Sequence, residues 1–158
     1  MKTSKITILG IGNTLFSDEG VGIHVLSTLQ EALKEYRNVE MIEGLTDGMR
    51  LLGPVEDAEN LIIIDAINAG KKGGTIVSLY GNDIPAYFGV KMSIHQLGFQ
   101  EVLLAAKMRD RYPKKIVMYG MQPTSLELGV ELSEINRKKL PELAQAVLDQ
   151  VKEWSMGS

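Results

Sequence analysis

The sequence predicts a three-layer α/β/α sandwich, in which a mostly parallel five-stranded sheet carries helices on both faces. Short β-rich runs alternate with helical patterns along the chain, which is the arrangement of a parallel sheet. The third run, Leu61–Ile64, is apolar at every position, as expected of a strand covered on both faces. No repeat, low-complexity stretch or linker divides the 158 residues, so we expect a single domain over residues 1–158.

The predicted elements follow in order along the chain. Apolar residues at helical spacing run from Val21 to Leu33, and a C-terminal helix is expected to begin at Ser133 with an apolar stripe from Leu140 to Trp154. A further helix is expected to begin at Ser93–Gln96, which has the Ser-x-x-Gln form of a capping box. Pro141 is expected to kink or divide the last helix because it lacks a backbone donor. The five predicted strands are Lys5–Ile11, Val39–Ile42, Leu61–Ile64, Thr75–Tyr80 and Lys115–Met121.

The composition excludes several kinds of protein. Cysteine is absent, so disulfides, zinc-thiolate sites and a cysteine nucleophile are excluded, and a bound metal must use oxygen and imidazole ligands. The net charge of -3 argues against nucleic acid as a partner, because binding to phosphates requires clustered Lys and Arg. No apolar run approaches the ~18 residues of a membrane span, and the first residues lack a signal peptide. We therefore expect a soluble, cytoplasmic protein with no membrane partner.

Polar side chains cluster at the predicted carboxyl ends of the strands. Asp18 and Glu19 lie in the loop after the first strand, Asp65 directly follows the third, and His95 begins the helix after the fourth. In open α/β sheets the loops at this edge diverge and leave a crevice in which ligands bind. The sequence therefore makes Asp18, Glu19, Asp65 and His95 the candidate site residues.

Each candidate also has a purely structural explanation. Asp18 and Glu19 stand where acidic residues cap and stabilise the start of a helix, a role that explains one carboxylate better than two. Asp65 could form an Asx-type turn, and a lone histidine such as His95 is often structural. His24 is five residues beyond Glu19, an offset that puts the two side chains on different helical faces, so we expect a surface or packing histidine there.

A dinucleotide site is a weaker interpretation of the first loop. Gly10-x-Gly12 begins like the phosphate-binding fingerprint, but its third glycine would fall on Leu15. The two carboxylates at 18 and 19 would also repel a pyrophosphate at the helix N-terminus. Two carboxylates and an imidazole would instead form an open metal site suited to nickel, zinc or cadmium.

Four segments together resemble the nickel-iron hydrogenase maturation endopeptidases. The first is GIGNTLFSDEGVG at residues 10–22, which is similar to the N-terminal motif of that family. Asp65-Ala66, SIHQLG at residues 93–98 and PTSLE at residues 123–127 resemble its later motifs in the same order. The resemblance extends over essentially the whole chain.

This resemblance implies an enzyme that cuts a short C-terminal extension from the precursor of the hydrogenase large subunit after nickel insertion. The metal-engaging positions of the family fall on Glu19, Asp65 and His95, and the nickel would arrive with the substrate. Zinc or cadmium would substitute for it in crystals, and Asp18 would orient a water or cap the following helix. Gly44, Thr46 and Gly48 match the family's substrate loop, whereas Glu43 and Leu45 depart from its usual Asp-Gly-Gly-Thr-x-Gly.

Two other functions stay open. A nickel chaperone or scaffold would use the same three residues without cutting. A peptidyl-tRNA hydrolase also has a Gly-Asn pair after its first strand and a histidine in a small α/β domain, although the acidic composition disfavours a tRNA groove.

Overall fold

The computed structural model describes residues 4–44, 48–90 and 98–156, and it confirms the predicted fold class. One mixed sheet has the strand order β2-β1-β3-β5-β4. All neighbouring pairs of these strands are parallel except β4 and β5, which are antiparallel. The strands are Ile6–Ile11 (β1), Val39–Gly44 (β2), Asn60–Ala66 (β3), Ile76–Tyr80 (β4) and Lys115–Met121 (β5).

Helices cover both faces of this sheet. The helices are Val21–Ala32 (α1), Leu52–Asp57 (α2), Asp83–Val90 (α3), Phe99–Met108 (α4) and Glu134–Met156 (α5), and two 3-10 turns lie at Ser17–Gly20 and Gly48–Leu51. α1 and α5 pack on one face and share a core with it, whereas α2, α3 and α4 form a second core on the other. None of the helices in the described part of the chain is long and apolar enough to cross a membrane.

The central strands are apolar because both of their faces are covered. β1 and β3 are buried at every residue. Successive side chains of a strand point to opposite faces, so Ile62 and Ile64 enter the core under α1 and α5. Leu61 and Ile63 enter the core under α2, α3 and α4. Asp65 follows in this alternation and therefore points toward the second core.

The structure corrects three sequence-based expectations. β3 continues to Ala66, so Asp65 is part of the strand instead of following it. The helix expected from Ser93–Gln96 onward is α4, which begins only at Phe99, after Gly98 in a left-handed conformation (φ +102°). The capping box itself lies outside the described residues. Pro141 does not divide the last helix, because α5 is one helix through it; Pro141 is exposed, so water can satisfy the carbonyl left without a donor.

Candidate active site

The candidate site lies where the winding of the sheet reverses. In the sheet, β2 lies on one side of β1 and β3 lies on the other. The connection that follows β1 therefore leads toward one edge of the sheet, and the connection that follows β3 leads toward the opposite edge. A crevice forms at the carboxyl ends of two such strands. The 3-10 turn at Ser17–Gly20 follows β1 and contacts β3, and Asp65 lies near the end of β3.

Glycines allow the start of α1 to lie directly on these strand ends. A Cβ on Gly22 would stand 2.3 Å from the carbonyl oxygens of both Ile11 and Ile64, so only glycine permits this approach. Gly12 is equally close to the following turn, where a Cβ would lie 2.3 Å from the carbonyl oxygen of Glu19. The contacts bring the turn that carries Glu19 against the ends of β1 and β3.

The two carboxylates predicted to engage a metal are both buried. Glu19 is 8% exposed and lies in the 3-10 turn, where its N–H donates to the carbonyl of Phe16 at 3.0 Å. Asp65 is 0% exposed, and its Oδ1 accepts a hydrogen bond of 2.7 Å from the N–H of Ala66. The hydroxyl of Tyr87 in α3 donates to the carbonyl of Ala66 at 3.0 Å and ties α3 to this end of β3.

The third proposed ligand, His95, lies outside the described residues, as does Thr46 of the proposed substrate loop. Gly44 ends β2 and Gly48 begins the second 3-10 turn. Within residues 4–44, 48–90 and 98–156 no three His, Asp or Glu side chains are grouped as a metal site. The described residues therefore contain two of the three predicted ligands.

Asp18 is an anchor for a distant loop and does not cap α1. The N-cap of α1 is Gly20, with no side-chain cap, so the capping expectation for Asp18 and Glu19 is wrong. The carboxylate of Asp18 is fully buried and accepts four hydrogen bonds from the loop between β5 and α5, residues 122–133. The donors are the N–H groups of Thr124, Ser125 and Ser133 and the hydroxyl of Ser133, at 2.8–2.9 Å.

Comparison with known proteins decides the family. A family model described as HycI, hydrogenase maturation protease, matches residues 23–150, which is well over half of the chain. The chain belongs to the hydrogenase maturation protease family. The matched range includes Asp65 and His95 and begins four residues after Glu19.

Relatives of the maturation protease family align with almost all of this chain. The hydrogenase 2 maturation protease of Escherichia coli (strain K12) is 36% identical over 152 residues, covering 94% of this chain and 92% of that protein. The hydrogenase expression/formation protein HoxM of Cupriavidus necator is 36% identical over 151 residues, covering 94% and 75%. The solved structure of the hydrogenase maturating endopeptidase HybD from E. coli superposes with a TM-score of 0.85 at 35% identity, over 94% of this chain and 93% of that chain.

In this maturation protease, a partly buried polar network continues from the anchored loop and was not predicted from the sequence. The hydroxyl of Thr124 donates to Asn136 Oδ1 at 2.6 Å, and Asn136 Nδ2 donates to the carbonyl of Gln122 at 3.1 Å. Gln122 Oε1 accepts from the N–H of Ala69 at 2.7 Å, and its Nε2 donates to Asn68 at 3.0 Å. The motif at residues 123–127 marked this region, but nothing in the sequence paired it with the segment after β3.

His24 lies on the side of α1 that faces α5. It lines an open groove of about 680 Å³ between α1 and the start of α5, together with Ser27 and Arg137. Its Nε2 is shielded from water and has no hydrogen-bond partner within the described parts of the chain. This position agrees with the expectation of a packing histidine.

Proposed function

We propose that this protein is the endopeptidase that removes the C-terminal extension from the precursor of a nickel-iron hydrogenase large subunit after nickel insertion. The observation that supports it is the pair of buried carboxylates, Glu19 and Asp65, at the switch point of a hydrogenase maturation protease fold. Buried carboxylates are costly in an apolar surrounding, so a site that keeps two of them at one crevice favours a cationic ligand.

The nickel carried by the substrate would be recognised through Glu19, Asp65 and His95. Two carboxylates and one imidazole suit a borderline divalent ion, and zinc or cadmium would bind the same donors. His95 belongs to the segment that joins α3 to α4, and both helices lie on the face toward which Asp65 points. This chain connection supports the inclusion of His95 with Asp65.

The chemistry is hydrolysis of one peptide bond. The oxygen of water bonds to the scissile carbonyl carbon, the C–N bond breaks, and the departing amine takes up a proton. Bound nickel would polarise that carbonyl or activate the water. Glu19 and Asp65 would hold the metal-loaded substrate in place, and one of the two carboxylates would accept a proton from the water and pass it to the departing amine. The four hydrogen bonds to Asp18 commit its carboxylate to the loop, which favours a positioning role over one in orienting water.

The test is conversion of purified precursor to its shortened form, followed on a gel. Nickel-loaded precursor should be cut by the metal-free protein, and nickel-free precursor should not. Glu19→Gln, Asp65→Asn and His95→Ala should each reduce processing by at least about a hundredfold, because groups that act as a unit are all required. His24→Ala, which alters the groove beside α5, should process at the normal rate.

Two outcomes would contradict the proposal. If nickel-loaded precursor stayed full-length while nickel moved between the proteins, the chaperone or scaffold function would be correct. If His95→Ala processed normally and His24→Ala did not, the assignment of the ligands would be wrong. The melting temperatures of Glu19→Gln and Asp65→Asn should stay within about 3 °C of wild type, since each substitution replaces a buried carboxylate with a neutral amide of the same shape and leaves no cavity.

A further inference from the structure

Two paired loops beside the crevice carry large apolar side chains that face solvent. Phe16 forms a parallel bridge with Gly129, and the N–H of Gly129 donates to the carbonyl of Leu15 at 2.8 Å. Leu15 and Leu128 each precede a bridged residue by one position, so their side chains lie next to each other. We call four exposed residues of these loops the apolar rim. They are, with the exposed fraction of each in parentheses, Leu15 (54%), Leu126 (51%), Leu128 (81%) and Val130 (65%).

The apolar rim is held firmly in place. Ser17 adopts a left-handed backbone conformation (φ +47°), which is unfavourable for a residue with a side chain. Its N–H donates to the carbonyl of Gly129 at 2.8 Å, and its hydroxyl donates to the carbonyl of Glu127 at 2.6 Å. The next residue, Asp18, binds both ends of the 122–133 loop. A preorganised surface loses little conformational entropy on binding, so the rim is suited to a partner.

The apolar rim is also continuous with the candidate site. Its two loops meet at Ser17 and Asp18, directly before Glu19, and they lie at the same carboxyl edge of the sheet. Glu19 is almost fully buried and lies two residues after Ser17, which is bonded to the loop that carries Leu126 and Leu128, so a macromolecule that reaches this edge of the sheet comes close to the rim. Contiguous apolar side chains on a surface are typical of partner-binding sites.

We propose that the apolar rim docks a segment of the same precursor that is cut, beside its scissile bond, and this inference rests on the proposed function. The segment should be apolar, because it covers four apolar side chains. Glu127 and Glu131 are exposed within and next to the rim, so the segment should also carry a Lys or Arg side chain that complements them. Docking on the rim would bind the precursor and leave the chemical step to the crevice residues.

The experiment measures KM and kcat for processing of nickel-loaded precursor. Leu126→Glu and Leu128→Glu should each raise KM about tenfold or more while kcat changes less than about twofold, since they remove binding and not chemistry. Glu127→Lys, which reverses a flanking charge, should raise KM by a smaller factor of about three. Leu128→Ala provides a mild second variant, with an expected rise of about threefold.

Met108→Glu is the matched control. Met108 is 79% exposed, like Leu128, but it lies on α4 in the opposite layer, so KM and kcat should equal those of wild type. The docking proposal is overturned if Leu126→Glu, Glu127→Lys and Leu128→Glu all leave KM unchanged.

The remaining outcomes separate docking from the proposed function. If wild type cuts the precursor and the rim variants cut it with the same KM, the docking surface is wrong and the function stands. If wild type binds the precursor without cutting it, and Leu128→Glu weakens that binding about tenfold, the docking surface stands and the function is wrong. If wild type is a dimer that Leu128→Glu dissociates, with KM unchanged, a second copy covers the rim and the docking proposal is overturned.

Discussion

Replacing Asp18 with Ala tests whether this carboxylate holds the 122–133 loop in place. The substitution removes the acceptor of four hydrogen bonds, three from backbone N–H groups and one from the hydroxyl of Ser133. The carboxylate is 0% exposed, so the space it leaves is separated from bulk water. The donors at Thr124, Ser125 and Ser133 would lose their partner at the same time.

The magnitude follows from the number and kind of these bonds. A hydrogen bond to a charged group contributes about 1.5–3 kcal/mol, so four would sum to about 6–12 kcal/mol if they were independent. They are not independent, because all four share one carboxylate, and water can reach the donors once the loop shifts. We therefore expect a loss of about 3–5 kcal/mol, which is at the upper end for a single substitution.

The assay is urea and thermal unfolding of the purified variants. A loss of this size should lower the melting temperature of a chain of this length by about 10 °C or more. Glu19→Gln is the control from the adjacent position and should melt within about 3 °C of wild type. Ser133→Ala removes one of the four donors and should cost about 1 kcal/mol. An Asp18→Ala protein as stable as wild type would refute the anchoring role.

Three further predictions concern other parts of the fold and the site. Gly22→Ala should destabilise the protein by about 3 kcal/mol in thermal unfolding, because its Cβ would stand 2.3 Å from two carbonyl oxygens, whereas Gly53→Ala, with open space around it, should not. Burial, followed by the neighbouring Tyr80, raises the pKa of Tyr119 to about 12. The stability that its protonated form contributes is complete below about pH 10 and is lost as pH rises through about 12. The free energy of unfolding of Tyr119→Phe should therefore fall less between these pH values than that of wild type. Processing should decline as pH falls below about 6.5, the ordinary pKa of histidine, because a His95 ligand must be neutral; full activity at about pH 4.5 in folded protein would contradict this.

The sequence predicted the central strands well because burial on both faces leaves a continuous apolar run. The predicted strand Lys115–Met121 has the same bounds as β5. The predicted strand Leu61–Ile64 is shorter than β3 by one residue at its start and by two at its end. α2 and α3 were missed because each is short and contains both glycine and proline, which weaken a helical pattern. The antiparallel direction of β4 depends on its pairing with β5, which no local pattern records.

The sequence predicted the placement of the site residues that lie at strand ends, but it did not predict the role of Asp18, which depends on contacts with a distant part of the chain. Glu19 and Asp65 could be assigned to one edge because parallel strands end together. The role of Asp18 could not, because its hydrogen-bond donors are 106 to 115 residues away in the sequence. A carboxylate before a helix has a local explanation, and that explanation was wrong here.

The anchoring of the 122–133 loop has a consequence for how this part of the molecule can be altered. Three of the four groups that Asp18 binds are main-chain amides, which every residue except proline provides. The attachment is therefore insensitive to most side chains of the loop. Loops of the same length with different side chains could be exchanged at this position, because the hydrogen bonds between Asp18 and the loop, including those of Ser133, would hold the loop backbone in the same place. Partner preference could thus be redesigned without rebuilding the crevice.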